Sequence, residues 1–309
     1  MKGVLLVNMG SPTSKSEMKE FLFNMFSDKA ILPFPIIPRK ILAFLISNLR
    51  YRGSWSKYEL IGGSPLKESM KSINTALSQE IGAEYLVSSA YSYSLPTIED
   101  SIADFHKKGI TEVEVITMYP QSSISTTDSV KIDLGKVKKK FPEIRVTIAN
   151  TFSEQKTFIA YWVELIQESI DKSGFKNPTL LFSAHAIPTY QVDNGDTYVD
   201  EINDSARTIA TQMSLPYRVS FQSKIGRVKW VGPDSKDCLK AMKDDGIDEI
   251  ILVPISFINE NLETLYDQDV EIIPYGKNEL GIKNITRAHI PSTHPLLIET
   301  FKNLLIKYK

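Results

Sequence analysis

Residues 105–120 read FHKKGITEVEVITMYP, and residues 242–257 read MKDDGIDEIILVPISF. Both stretches leave a helical pattern, stop at a glycine (Gly109 or Gly246), and pass into a run of β-branched and aliphatic residues. Such an unbroken apolar run predicts a strand buried on both faces, as in a parallel sheet covered by helices. A second echo links KGVLLVNMGSP (2–12) with PTLLFSAHAIP (178–188), each an apolar strand entering a loop with a small residue and a proline. The chain is therefore expected to carry the same unit twice.

Working outward, further strand-like runs are Val4–Val7, Tyr85–Ser88, Val113–Thr117, Val146–Ala149, Thr179–Phe182, Arg218–Ser220, Glu249–Val253 and Ile285–Ala288. Between them lie helical faces at i, i+3, i+4 and i+7 spacing, such as Met18, Phe21, Leu22 and Met25, or Ile202, Ala206, Ile209 and Met213. Strand and helix in alternation predict an α/β protein of two facing Rossmann-like domains, each a parallel sheet with helices on both faces. The expected division is 1–150 and 151–294, with a last helix over 295–309, capped by Ser292 or Thr293, packing back on the first domain. In such sheets the chemistry belongs in the loops after the carboxyl ends of the strands.

Composition narrows the chemistry. The 309 residues hold 36 Lys and Arg against 37 Asp and Glu, a net charge of −1, so no global basic field is present to hold nucleic acid. The single cysteine, Cys238, excludes an internal disulfide, a thiolate zinc cage and a cysteine-ligated cluster. Four histidines remain for metal or acid–base work. The N-terminal apolar run is too short for a signal peptide, which makes a cytoplasmic protein the expectation. The Ile31–Ile46 stretch, ILPFPIIPRKILAFLI, is broken by three prolines and charged by Arg39 and Lys40, so it cannot span a bilayer. It fits either an apolar lip, opening a pocket or making weak contact with a membrane surface, or a segment packed into the core.

Four loops follow predicted strands: 8–12, 119–127, 183–188 and 259–267. The Ser/Thr tract at 122–127 suits a phosphate cradle or, more simply, hydroxyls that cap a helix; no glycine-rich nucleotide motif accompanies it. His185 alone among the histidines stands at the mouth of a predicted sheet. His106 reads as solvated, and His289 and His294 as structural. Glu260, Glu263, Asp267 and Glu271 would share one stripe of a helix, where like charges need compensation by solvent, a basic neighbour or metal ions. Glu263, between Leu262 and Leu265, is expected to be partly desolvated with a raised pKa suited to proton exchange.

The motifs LFSAHAIP, FQSKIGRVKWVGP (221–233) and ILVPISFINENLETLYDQD (251–269), in this order and spacing, resemble ferrochelatase. LLVNMGSP, IGGSPL (61–66) and MYPQSSISTT (118–127) extend the resemblance over nearly the whole chain. It implies an enzyme that inserts Fe²⁺ into protoporphyrin IX in a cleft between the two domains. It also implies His185 as metal ligand or proton acceptor, Glu263 opposite it in metal handling or proton transfer, and Asp267 and Glu271 as an outer acidic relay. Met9, Tyr58, Ser64 and Trp230 match positions lining the porphyrin cleft, and Ile31–Ile46 matches the lip.

Fe²⁺ is then a substrate, no cofactor is required, and no iron–sulfur cluster is expected. The partners are porphyrin and iron, without nucleic acid, and a monomer is expected. The chain departs from many members of the family in carrying Asn261 in place of a histidine, Ala186 after the motif histidine, and Ser92 where some have a basic residue. Alternatives are a chelatase for coproporphyrin or another tetrapyrrole, and a non-catalytic porphyrin or haem binder. A sugar-nucleotide transferase would share the strand–helix pattern but lacks its phosphate loop here.

Overall fold

A computed structural model describes residues 1–224, 226 and 228–306. Ile225 and Arg227 of the 221–233 motif, and residues 307–309 of the expected last helix, lie outside the described residues. The chain forms two compact units, Met1–Thr151 together with the chain from Ile298 onward, and Phe152–Leu297.

The first unit runs β1 (Lys2–Asn8), α1 (Lys15–Ser27), α2 (Ile36–Leu60), α3 (Leu66–Ile81), β2 (Tyr85–Tyr91), α4 (Ile98–Lys107), β3 (Glu112–Thr117), α5 (Thr127–Lys140) and β4 (Arg145–Ile148). Its strands are parallel in the order β2-β1-β3-β4, with Leu5 opposite Ser88 on one side and Val115 on the other. Val4–Val7 are wholly buried. Each such side chain withdrawn from water contributes about 1.5–3 kcal/mol, which is why the apolar run lies at the sheet centre.

The second unit runs α6 (Lys156–Ser173), β5 (Thr179–His185), α7 (Thr189–Asp193), α8 (Tyr198–Met213), β6 (Tyr217–Gln222), α9 (Ser235–Asp244), β7 (Glu249–Val253), a π-helix (Glu263–Ile272), a second π segment (Tyr275–Glu279) and β8 (Asn284–Arg287), while α10 (Pro295–Ile306) belongs from Ile298 onward to the first unit. Its parallel order, β6-β5-β7-β8, repeats that of the first unit. The two quoted stretches thus supply β3 and β7, which hold the same place in their sheets. Their glycines stop the preceding helices alike. Gly109 and Gly246 take φ of +73° and +76°, and the next residue's N–H closes on Phe105 or Met242. A residue with a Cβ would resist that left-handed turn.

The Ile31–Ile46 stretch is mostly exposed, with Ala43 as its one wholly buried residue. From Ile36 it is the start of α2, because Pro38 falls in the first helical turn, where a missing N–H costs no hydrogen bond. Ile37, Ile41, Phe44, Leu45 and Leu49 form an outward stripe along it, with Ile37 72% and Leu49 82% exposed. Arg39 fastens the segment by donating to the carbonyls of Ser27 (2.8 Å) and Phe34 (2.7 Å). Among the described residues no helix is long and apolar enough to cross a membrane. The start of α10 differs from expectation: His294, rather than Ser292 or Thr293, caps it, its Nδ1 accepting from the Leu296 N–H at 3.3 Å.

Candidate active site

β5 ends on His185, so its side chain stands where the sheet opens into a loop. β7 ends at Val253, and the loop beyond it leads into the π-helix, whose first residue is Glu263. Asn261 starts that helix: its Oδ1 accepts from the N–H of Glu263 (2.8 Å) and of Thr264 (3.4 Å). This is the bond pattern of a helix N-cap, in which a side-chain oxygen satisfies otherwise unpaired amides.

The two strand ends bring His185 Nδ1 to 2.7 Å from Glu263 Oε2. The His185 N–H donates to Ser256 Oγ at 3.2 Å, and the buried Tyr198 hydroxyl also contacts Ser256 and the His185 backbone. The imidazole keeps 39% of its surface exposed and the carboxylate 22%, so the pair is supported from behind and open in front. Burial opposes charging of His185, but the adjacent Glu263 carboxylate outweighs it, with help from Asp267, and holds the imidazole above its ordinary value. Burial also pushes Glu263 up, yet the attraction of His185 and hydrogen bonds from His185, Ser223 and Gln222 hold it below the usual carboxylate range. The expectation of a raised Glu263 pKa from desolvation is thereby corrected.

Two residues not singled out from sequence complete the pair. Ser223, at φ +65°, turns its hydroxyl between Glu263 Oε2 (2.9 Å) and Asp267 Oδ2 (2.6 Å). Gln222 donates to the Glu263 carbonyl (3.3 Å), and its Oε1 accepts from Gln268 Nε2 and Ser183 Oγ, both at 2.7 Å. These bonds tie the π-helix to β5 and β6. Both residues lie in the FQSK segment, but nothing in the spacing indicates that a serine will take the left-handed conformation.

The acidic stripe is partly corrected. Asp267 joins Glu263 through Ser223, and Glu271 lies half-buried farther along the π-helix. Glu260 does not share their stripe; it turns inward, 6% exposed, to Arg287 Nη1 (2.9 Å) and His289 Nδ1 (2.8 Å). The expected α-helical spacing fails because the segment is a π-helix that starts only at Glu263.

Trp230 is half-buried in a short bridge with Pro188, just beyond His185, and its Nε1 has no hydrogen-bond partner among the described residues. In the first unit, Met9 is half-buried at the end of β1, its N–H donating to Asn8 Oδ1 at 2.7 Å. Tyr58 is almost covered and stacks on Trp55 at 6.2 Å, while Ser64 Oγ accepts from the Leu66 N–H at 3.4 Å. The Ser/Thr tract ties up helix-start backbone: Thr127 Oγ1 accepts from the Ser123 N–H and donates to its carbonyl. His106 is exposed and 2.8 Å from Glu143, and His294 lies against Tyr161 and Glu164. Among the described residues no three His, Cys, Asp or Glu side chains form a metal cage.

The solved sirohydrochlorin chelatase SirB of Bacillus subtilis subspecies spizizenii, in complex with cobalt, has a similar fold. The TM-score is 0.60 at 12% identity, over 99% of this chain and 95% of that one. The ferrochelatase of Picosynechococcus sp. is 36% identical over 318 residues, covering 98% of this chain and 81% of its own. That of Aquifex aeolicus is 32% identical over 98% of both chains. The ferrochelatase family profile matches residues 1–308, and with these full-length relatives it establishes that the chain belongs to the ferrochelatase family.

Proposed function

We propose that this enzyme inserts Fe²⁺ into protoporphyrin IX, forming protohaem and releasing two protons. The observation that carries this reading is the 2.7 Å His185–Glu263 pair, open on one side and backed by Ser223 and Asp267. A free-base porphyrin must lose two inner N–H protons as the metal enters. With Nδ1 directed at Glu263, Nε2 of a neutral His185 is left to accept a pyrrole proton. The imidazolium so formed is held by the Glu263 carboxylate, which is the reason for an acid beside the base. Nε2 keeps that first proton, and the second pyrrole proton is taken by the Glu263 carboxylate beside it. Asp267, linked through the Ser223 hydroxyl, is the next acceptor, and Glu271 continues the relay. Imidazole and carboxylate are also suitable ligands for Fe²⁺ in transit and discriminate weakly between it and Zn²⁺.

Met9, Tyr58, Ser64 and Trp230 are proposed to contact the macrocycle. The apolar stripe of α2 serves as the lip for a greasy substrate and as the site of weak peripheral membrane contact. The enzyme acts as a cytoplasmic monomer without a resident cofactor. Incubating the pure protein anaerobically with Fe²⁺ and protoporphyrin IX, with coproporphyrin III in parallel, tests the reading through the Soret band. Conversion of protoporphyrin in preference to coproporphyrin supports it; conversion of neither supports a porphyrin binder instead.

A further inference from the structure

A π-helix of ten residues is unusual, since i→i+5 turns mostly occur singly inside α-helices. Something outside the helix must hold it. Arg287, the last residue of β8 and 6% exposed, is bound to both sides of the segment that carries the site carboxylates. Its Nη1 donates to Glu260, three residues before Glu263, at 2.9 Å. Its Nε and Nη2 donate to the two oxygens of Asp269, two residues after Asp267, at 2.8 and 2.7 Å. The second contact is the two-pronged guanidinium–carboxylate geometry, which fixes direction as well as distance. Glu260 is itself held by the Ile290 N–H (3.0 Å), His289 Nδ1 and the Thr264 hydroxyl, so the tie reaches the helix's first turn. Glu263 and Asp267 lie between the two anchors, and both must face the single hydroxyl of Ser223.

We infer that Arg287, through Glu260 and Asp269, is a positioning residue for the reaction. It holds the winding that aims Glu263 and Asp267 at the one Ser223 hydroxyl, touching neither substrate nor metal. Without it the segment can relax toward α-helical winding, which rotates Asp267 relative to Glu263 and breaks the shared contact with Ser223. The role rests on the proposed metal insertion, but the tie can be measured without turnover.

The test compares the wild-type protein with Asp269→Ala, which removes the fork from a partly exposed carboxylate, and with Arg287→Lys, which keeps a cation but no fork. Amide hydrogen exchange is followed over 263–272 alongside zinc insertion kinetics. Expected in both variants are faster exchange confined to 263–272, kcat lower by roughly tenfold or more, and a porphyrin KM within about twofold of wild type. Wild-type kcat in both variants overturns the proposal, as does exchange rising equally in every strand, which marks a merely structural ion pair. A wild-type protein that inserts no metal refutes the proposed function, while local exchange still judges the anchor.

Discussion

His185 Nδ1 and Glu263 Oε2 lie 2.7 Å apart although 78 residues separate them in the chain. The contact joins the end of a buried strand to the start of a π-helix, so each element fixes the side chain carried by the other.

The pair makes stability depend on pH in two directions. His185 is raised above its ordinary 6.5, so its contribution is complete below that value and is lost as pH rises through the raised one. Glu263 is lowered below 4.5, so its contribution is complete above that value and is lost as pH falls through the lowered one. The pair therefore stabilises most between these two ordinary values. Melting temperature against pH should show this plateau as a difference between wild type and Glu263→Gln, with the difference shrinking on both sides. A difference independent of pH contradicts the assignment.

Ser223 places one hydroxyl between two carboxylates from a left-handed backbone. Ser223→Ala and Ser223→Gly should lower kcat alike, by roughly tenfold, because both lose the hydroxyl. The glycine variant should melt higher than the alanine variant, since a Cβ in the left-handed region costs about 1–2 kcal/mol. Steady-state kinetics and thermal melts check both parts, and unequal kinetic losses point to backbone shape rather than the hydroxyl.

Asn261 caps the helix that carries Glu263. Asn261→Ala should cost about 1 kcal/mol in denaturant unfolding, whereas Asn261→Asp should retain the cap and most of the stability. If both variants lose stability equally, the amide acts through its Nδ2 donor rather than as a cap.

Much of this architecture was legible in the sequence. All eight predicted strands form, because runs such as Val4–Val7 must be buried on both faces and only a helix-covered parallel sheet provides that. The repeat of Gly109 and Gly246 marked equivalent helix stops. What escaped was what depends on neighbours distant in sequence. Glu260 matched an α-helical stripe, but Arg287 and His289 draw it inward. The charge on Glu263 follows from His185 and Ser223 rather than from its flanking leucines. Whether 31–46 was buried or exposed could not be decided from hydrophobicity, because an exposed lip and a core segment have the same composition.

The stripe on α2 should bind anionic vesicles weakly. Leu49→Glu, at a position 82% exposed, should shift melting little while reducing co-sedimentation with phosphatidylglycerol vesicles. Sedimentation equal to wild type would remove membrane contact from the lip's role.

Most directly, metal insertion can be followed anaerobically with Fe²⁺ and protoporphyrin IX in wild type, His185→Ala and Glu263→Gln, with porphyrin binding measured separately by fluorescence. Both variants should bind porphyrin as wild type does and lose roughly 10²–10⁴-fold in kcat, as expected for removal of a proton acceptor or its partner. Turnover at the wild-type rate in His185→Ala would contradict the account.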